Sequence, residues 1–214
     1  ERALNMNNSD GRADFAVSVE QMTSDLPGVA ASALTVAWFA DAVSAATAKV
    51  KPGVETRERG TVPYGWRVDS AGRSDAHLIS GTADAATNGG TPADTAVLEG
   101  IAALSEAGLA VTLSPFMLVD APGFPWRGRI AVSADKTAAA RAEIDAFVGV
   151  DGGFGFRHFI LHHARLAAQS ALAGYPVDAI LLGSEMVGLS RVRDGAGAFP
   201  FVEALVSLAS EVRA

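Results

Sequence analysis

Apolar residues follow two different patterns along the chain. Four short segments, at 33–40, 76–80, 109–118 and 177–183, are predicted as strands. The apolar character of 33–40 and 109–118 is typical of strands buried on both faces. Between them, apolar residues recur every three or four positions, which predicts helices over 13–25, 135–147 and 154–173 and a last helix from Pro200. The segment 42–74 is irregular, and alternation over 64–68 predicts a small hairpin there.

One helix has explicit start and stop signals. Thr91 is predicted as its N-cap, Pro92 as its first residue and Asp94 as the acidic partner of a capping box, and Gly108 follows its end. A polar loop rich in Gly, Thr and Asn separates this helix from the strand at 76–80. The loop is long enough to shape a site.

Strands that alternate with helices predict a parallel sheet with right-handed crossovers. A closed β/α barrel needs eight such units and typically ~250 residues, whereas only four strands fit into these 214 residues. We therefore predict an α/β fold, the first half of a barrel with about four β/α units. Residues 1–214 are expected to be the N-terminal half of that domain and a fragment of a longer protein.

Composition excludes several classes of function. The net charge is −7 without a basic run, so no direct nucleic-acid role is expected. The chain has no cysteine, which excludes disulfides and thiolate metal sites, and no apolar stretch reaches the ~20 residues of a transmembrane span. No cofactor and no metal is expected.

The carboxyl ends of barrel strands carry the chemistry in this architecture. Glu185 directly follows the last predicted strand, where barrel glycosidases keep a general acid/base. A carboxylic acid held against low-dielectric walls has a raised pKa and can protonate a leaving oxygen. The alternative is that Glu185 only binds a neighbouring loop, and catalysis would require a second carboxylate.

Other candidates have equally plain structural alternatives. Asp41 and Asp120 at strand ends could orient a substrate, although such residues usually serve turns. Trp38 and Trp126 could stack on a sugar ring, with Arg127 nearby for an anionic group, although aromatic residues are more often core. His158 and His162 have a spacing that can bind a metal, but no acidic ligand is evident and a packed or surface pair is favoured.

An ordered set of motifs resembles a known family. The set includes Gly-Gly-Thr-Pro at 89–92, Phe-Pro-Trp-Arg-Gly-Arg-Ile at 124–130 and Gly-Ser-Glu at 183–185. The chain resembles the TIM-barrel-like domain of the large tail-tip, or host-specificity, protein of gene transfer agents and related siphophages. The resemblance implies a glycoside-hydrolase-like TIM barrel within a much longer tail-tip protein.

Two functions follow from this resemblance. The first is a structural and host-recognition component of the tail tip, or baseplate, of a phage or gene transfer agent. Its partners would be other tail-tip proteins and a bacterial envelope glycan or receptor, and its location the virion or particle tail tip, assembled in the bacterial cytoplasm. The alternative is a glycoside hydrolase acting on cell-wall or surface glycan, with Glu185 as general acid/base and a nucleophile or base supplied by a later strand.

Overall fold

The structure is a computed structural model that describes residues 5–82 and 85–213. Residues 83 and 84 of the predicted polar loop therefore lie outside the described residues. The helices are α1 (Asp14–Asp25), α2 (Asp94–Glu106), α3 (Ala138–Val148), α4 (Phe156–Leu172), α5 (Val187–Ser190) and α6 (Pro200–Arg213). The strands are β1 (Ala31–Ala40), β2 (Val50–Lys51), β3 (Gly53–Val54), β4 (His77–Leu78), β5 (Ala110–Val119) and β6 (Ala179–Ile180).

The main sheet has four strands in the order β2-β1-β5-β6. β1 and β5 are parallel over their whole length, from Ala31 opposite Ala110 to Ala40 opposite Val119. β6 extends the parallel part, whereas β2 is an antiparallel strand at the edge. Each parallel strand is followed by helices, so the predicted α/β half-barrel is confirmed.

Two predictions near the start of the chain are wrong. Of the run at 76–80 only His77–Leu78 forms a strand, and it pairs with β3 outside the main sheet. The hairpin predicted over 64–68 is absent from the described chain, which has only an isolated bridge between Val68 and Ala71. The alternation there has another cause, because the buried Trp66 indole donates to the Thr91 carbonyl at 2.8 Å.

The last strand is shorter than predicted, and Pro115 explains why. Val111 and Leu113 of β5 turn their carbonyls towards β6, where they accept from the backbone amides of residues 178 and 181. The next β5 residue on that side is Pro115, which has no N–H to donate. Pairing between β5 and β6 therefore ends after two residue pairs.

The helix α2 begins later than predicted. Its first residue is Asp94 and its N-cap is Ala93, without a side-chain capping bond. The Thr91 hydroxyl instead donates to the Ala37 carbonyl at 2.6 Å and accepts from the Gly53 amide at 2.8 Å. Thr91 therefore connects β1 to β3. The Ala37 carbonyl lies on the edge of β1 that does not pair with β5, so it needs another hydrogen-bond partner, and Thr91 provides it.

Within the described residues, the helices pack on one face of the sheet. Val111 and Leu113 of β5 are buried in a cluster with Val97, Ile101 and Leu104 of α2. The alternate β5 residues Thr112, Phe116 and Leu118 stay partly exposed on the opposite face. In a barrel the helices are outside, so this open face corresponds to the barrel interior.

No helix within residues 5–82 and 85–213 combines the length and the apolar character that a membrane span requires.

Candidate functional site

Glu185 lies at the carboxyl end of the parallel sheet, between β6 and α5. Its Oε2 accepts a hydrogen bond from Trp126 Nε1 at 2.8 Å and lies 3.5 Å from Arg127 Nη2. The side chain is 58 % exposed. Its backbone is left-handed, with φ 58°, which is uncommon for a residue with a side chain.

Arg127 is buried beside Glu185 and Trp126 and holds the adjoining turn in place. Its Nε donates to the Ser184 carbonyl at 2.7 Å and its Nη2 donates to Ser184 Oγ at 2.8 Å. The guanidinium also lies over the Phe116 ring, 4.0 Å from the centroid, on the open face of the sheet. Burial lowers the Arg127 pKa and the charge of Glu185 opposes that shift. Arg127 thus fixes the turn that presents Glu185.

The segment before Arg127 folds tightly because of one glycine. A Cβ at Gly128 would lie 2.3 Å from Cζ2 of Trp126, so the indole can lie over this backbone only because residue 128 has no side chain. Arg129 then closes the loop by donating to the carbonyls of Pro122 and Phe124. These contacts place the Trp126 indole beside Glu185.

Asp120 follows β5, as predicted, and joins it to β4. Its carboxylate accepts from the Ser80 amide at 2.8 Å, from the Ser80 hydroxyl and from His77 Nε2 at 2.5 Å. Burial acts to raise the Asp120 pKa, but the hydrogen bonds from Ser80 and His77 outweigh it and hold the pKa below its ordinary value. The carboxylate is a structural acceptor.

Asp41 and Trp38 lie at the end of β1 in different surroundings. Asp41 is exposed, and its Oδ1 accepts from the Lys49 amide at 2.7 Å in the turn between β1 and β2. Trp38 is 1 % exposed and packs against Phe159, His162 and His163 of α4. Trp38 is a core residue that offers no open face for stacking.

The histidines of α4 have separate partners. His162 Nε2 lies 2.8 Å from an Asp94 carboxylate oxygen, and His158 Nδ1 lies 3.1 Å from one of Asp151. His163 is fully buried and donates from Nδ1 to the Phe159 carbonyl, and burial lowers its pKa to about 4. Within the described residues, no three His, Asp or Glu side chains are grouped to hold a metal ion.

The structure brings together three of the six residues chosen from the sequence, namely Trp126, Arg127 and Glu185. His77 and Phe116 were missed as partners of the rim residues. A histidine within a short apolar run was the available signal for His77, but its contact with Asp120 spans 43 positions and cannot be read from local spacing. An exposed carboxylate beside an indole can bind hydroxyl groups, whereas Asp41 and Asp120 serve backbone amides.

Comparison with known proteins supports the fold and the resemblance. Residues 154–214 match the family described as the GTA TIM-barrel-like domain, which confirms the resemblance for this part of the chain. No curated protein matches.

Two solved structures of GH113 beta-1,4-mannanase, one of them a complex, are similar to the chain at 15 % identity, with TM-scores of 0.50 and 0.49. Each match covers 94 % of this chain and 46 % of the mannanase, so the chain spans about half the length of these structures. At this identity the likeness with the TM-score of 0.50 shows the fold alone, that of a glycoside-hydrolase-like TIM barrel.

Proposed function

We propose that the chain is part of a structural and host-recognition component of the tail tip, or baseplate, of a gene transfer agent or phage. In this role it contacts other tail-tip proteins and a bacterial envelope glycan or receptor. The match of residues 154–214 to the GTA TIM-barrel-like domain supports the particle context. The open face of the sheet is then covered by further strands of a longer tail-tip protein.

The use of the rim carboxylates supports a binding role for this half of the barrel, since a second catalytic carboxylate would have to come from a later strand. Glycoside hydrolysis requires two carboxylates across the scissile bond. Asp120 is bound by Ser80 and His77, and Asp41 holds the turn after β1. Of the three carboxylates predicted at the rim, only Glu185 presents a mostly exposed side chain that no backbone amide binds.

The particle context is tested on purified particles from the bacterium that encodes the chain. Antibodies raised against the chain are expected to label one end of the tail in electron micrographs. A preimmune serum is the control for nonspecific labelling. Purified, intact particles that lack the chain by mass spectrometry would refute the proposal.

Glycoside hydrolysis of cell-wall or surface glycan is the second candidate function. It is favoured by the position of Glu185 after a barrel strand, beside the Trp126 indole, which offers an aromatic edge for a sugar. The test measures glycan release from purified envelope by the complete barrel domain that contains this chain and by its Glu185→Gln variant. Release that falls with the variant supports Glu185 as acid/base, and equal release removes it from the mechanism.

A further inference from the structure

A second polar cleft lies away from Glu185, where the end of β1 meets β2 and β4. Its volume is about 650 Å³, within the range of sites for small ligands. Lys51, Arg57, His77 and Phe154 line it together with Ser70 and Ser74. The cleft is at the carboxyl end of β1, the end of a barrel at which ligands bind.

Two cations line the cleft without a close ion pair, although the charge of Arg57 also acts on the neighbouring Glu58. Within the described residues neither Lys51 nor Arg57 forms an ion pair. The Lys51 ammonium lies 4.2 Å from the Phe154 ring centroid, a contact that positions the charge without neutralising it. Two cations beside one cleft, neither of them held in a salt bridge within the described residues, can bind an anionic ligand.

The acidic residues of the cleft are partly used by the protein. Asp41 accepts from the Lys49 amide, and Asp75 accepts from the Gly72 amide at 3.0 Å. Each has a second carboxylate oxygen that can accept from a ligand hydroxyl, and the hydroxyls of Ser70 and Ser74 can donate or accept. The cleft therefore combines a place for one anion with several partners for hydroxyl groups.

We infer that this cleft binds an anionic saccharide, a sugar unit that carries a carboxylate or a phosphate. Lys51 and Arg57 bind the anionic group, and Asp41, Asp75 and the serines bind the hydroxyls. The inference deepens the proposed contact with the bacterial envelope and rests on it for its biological meaning. The binding itself depends only on the cleft.

The test is calorimetric titration of the full 214-residue chain with glucuronate, glucose 6-phosphate, glucose and inorganic phosphate at matched ionic strength. We expect at least one of the two charged sugars to bind about tenfold more tightly than glucose or phosphate, because charged hydrogen bonds add to the hydroxyl contacts. The two charged sugars distinguish a carboxylate ligand from a phosphate ligand.

Variants locate the binding. Lys51→Met and Arg57→Gln are each expected to weaken binding about tenfold. Lys136→Met, which removes one charge outside the cleft, is expected to leave binding unchanged. Arg57 is in a loop, so its variant stays informative if the change in β2 impairs folding.

Three outcomes would overturn the inference: no binding of either charged sugar, binding of glucose as tight as theirs, or full affinity for phosphate alone. Charged-sugar binding that survives both cleft variants would place the ligand elsewhere and also refute it. A chain that binds charged sugars but is absent from particles would contradict only the proposed function. The two failures are therefore distinguishable.

Discussion

The Asp120 carboxylate offers a sharp test of how the rim is built. It accepts three hydrogen bonds from Ser80 and His77, and its side chain is only 6 % exposed. Hydrogen bonds to a charged group are each worth about 1.5–3 kcal/mol, and a buried donor without a partner costs about 1–3 kcal/mol. Since the three bonds share one acceptor, we expect Asp120→Ala to lower the free energy of unfolding by about 3–5 kcal/mol.

The assay is urea unfolding followed by circular dichroism, with Asp145→Asn as control. Asp145 is an exposed aspartate of α3, so its variant is expected to change stability by less than about 0.5 kcal/mol. Asp120→Asn keeps one acceptor oxygen and should fall between the two. A loss below about 1 kcal/mol for Asp120→Ala would refute the view that this carboxylate joins β4 to the end of β5.

The same carboxylate predicts a pH dependence. The folded-state pKa of Asp120 is held below its unfolded value, so the stabilisation is present above the ordinary Asp pKa of about 3.9 and is lost as pH falls through the folded value. The Asn variant should lose less stability over this acidic range than the parent chain. Equal acid sensitivity of the two would contradict the sign of the shift.

Three further predictions concern the rim and the core. Arg127→Lys should lower the free energy of unfolding by about 1–3 kcal/mol in urea, because an ammonium cannot reproduce the two guanidinium hydrogen bonds to Ser184. A variant as stable as the parent chain would contradict this. Gly128→Ala should displace the Trp126 indole and shift its N–H signal in NMR spectra, and an unchanged signal would show that the added methyl is accommodated. His163 should remain neutral near pH 7, because burial lowers its pKa to about 4. As the pH falls from about 6.5 towards 4, the unfolded chain binds a proton that the folded chain does not, so the free energy of unfolding should fall by up to about 3 kcal/mol. An NMR titration in which the His163 imidazole titrates near pH 6.5 would refute this.

The elements predicted best are those whose pattern depends on burial against the sheet. β1 and β5 form within two residues of their predicted ends, because the apolar residues of these runs pack against the helices that cover one face of the sheet. α2 ends before Gly108, which has a φ of 79°, and α4 ends before Gly174 in the same way. Such features are local, so the sequence is sufficient to find them.

The misplaced elements depend on contacts between distant residues. Thr91 has the chemistry of an N-cap, but its hydroxyl is taken by β1 and β3, which are 38 and more positions away. The run at 76–80 has the composition of a buried strand, yet it adds to β3 because β1 pairs directly with β5. Neither preference is visible in a local pattern.

The rim shows the same division. Asp41, Asp120 and Glu185 were all selected because they follow strands, and all three lie at the expected end of the sheet. Their uses differ because each depends on which donors the fold places nearby, and those donors come from other elements. A carboxylate that directly follows a strand can therefore be predicted to lie at the rim. Whether it has a structural role or is free to bind a ligand depends on the hydrogen-bond donors around it.

The surroundings of Glu185 bear on both proposed functions. Glu185 accepts from the Trp126 indole and lies 3.5 Å from Arg127 Nη2, and its side chain is 58 % exposed. A carboxylate with free acceptor capacity beside an aromatic edge is suited to accept hydroxyl groups of a glycan. Hydrolysis would require, in addition, a second carboxylate across the scissile bond. The proposed binding role and its hydrolase alternative therefore both use Glu185, and they differ in the need for that second carboxylate.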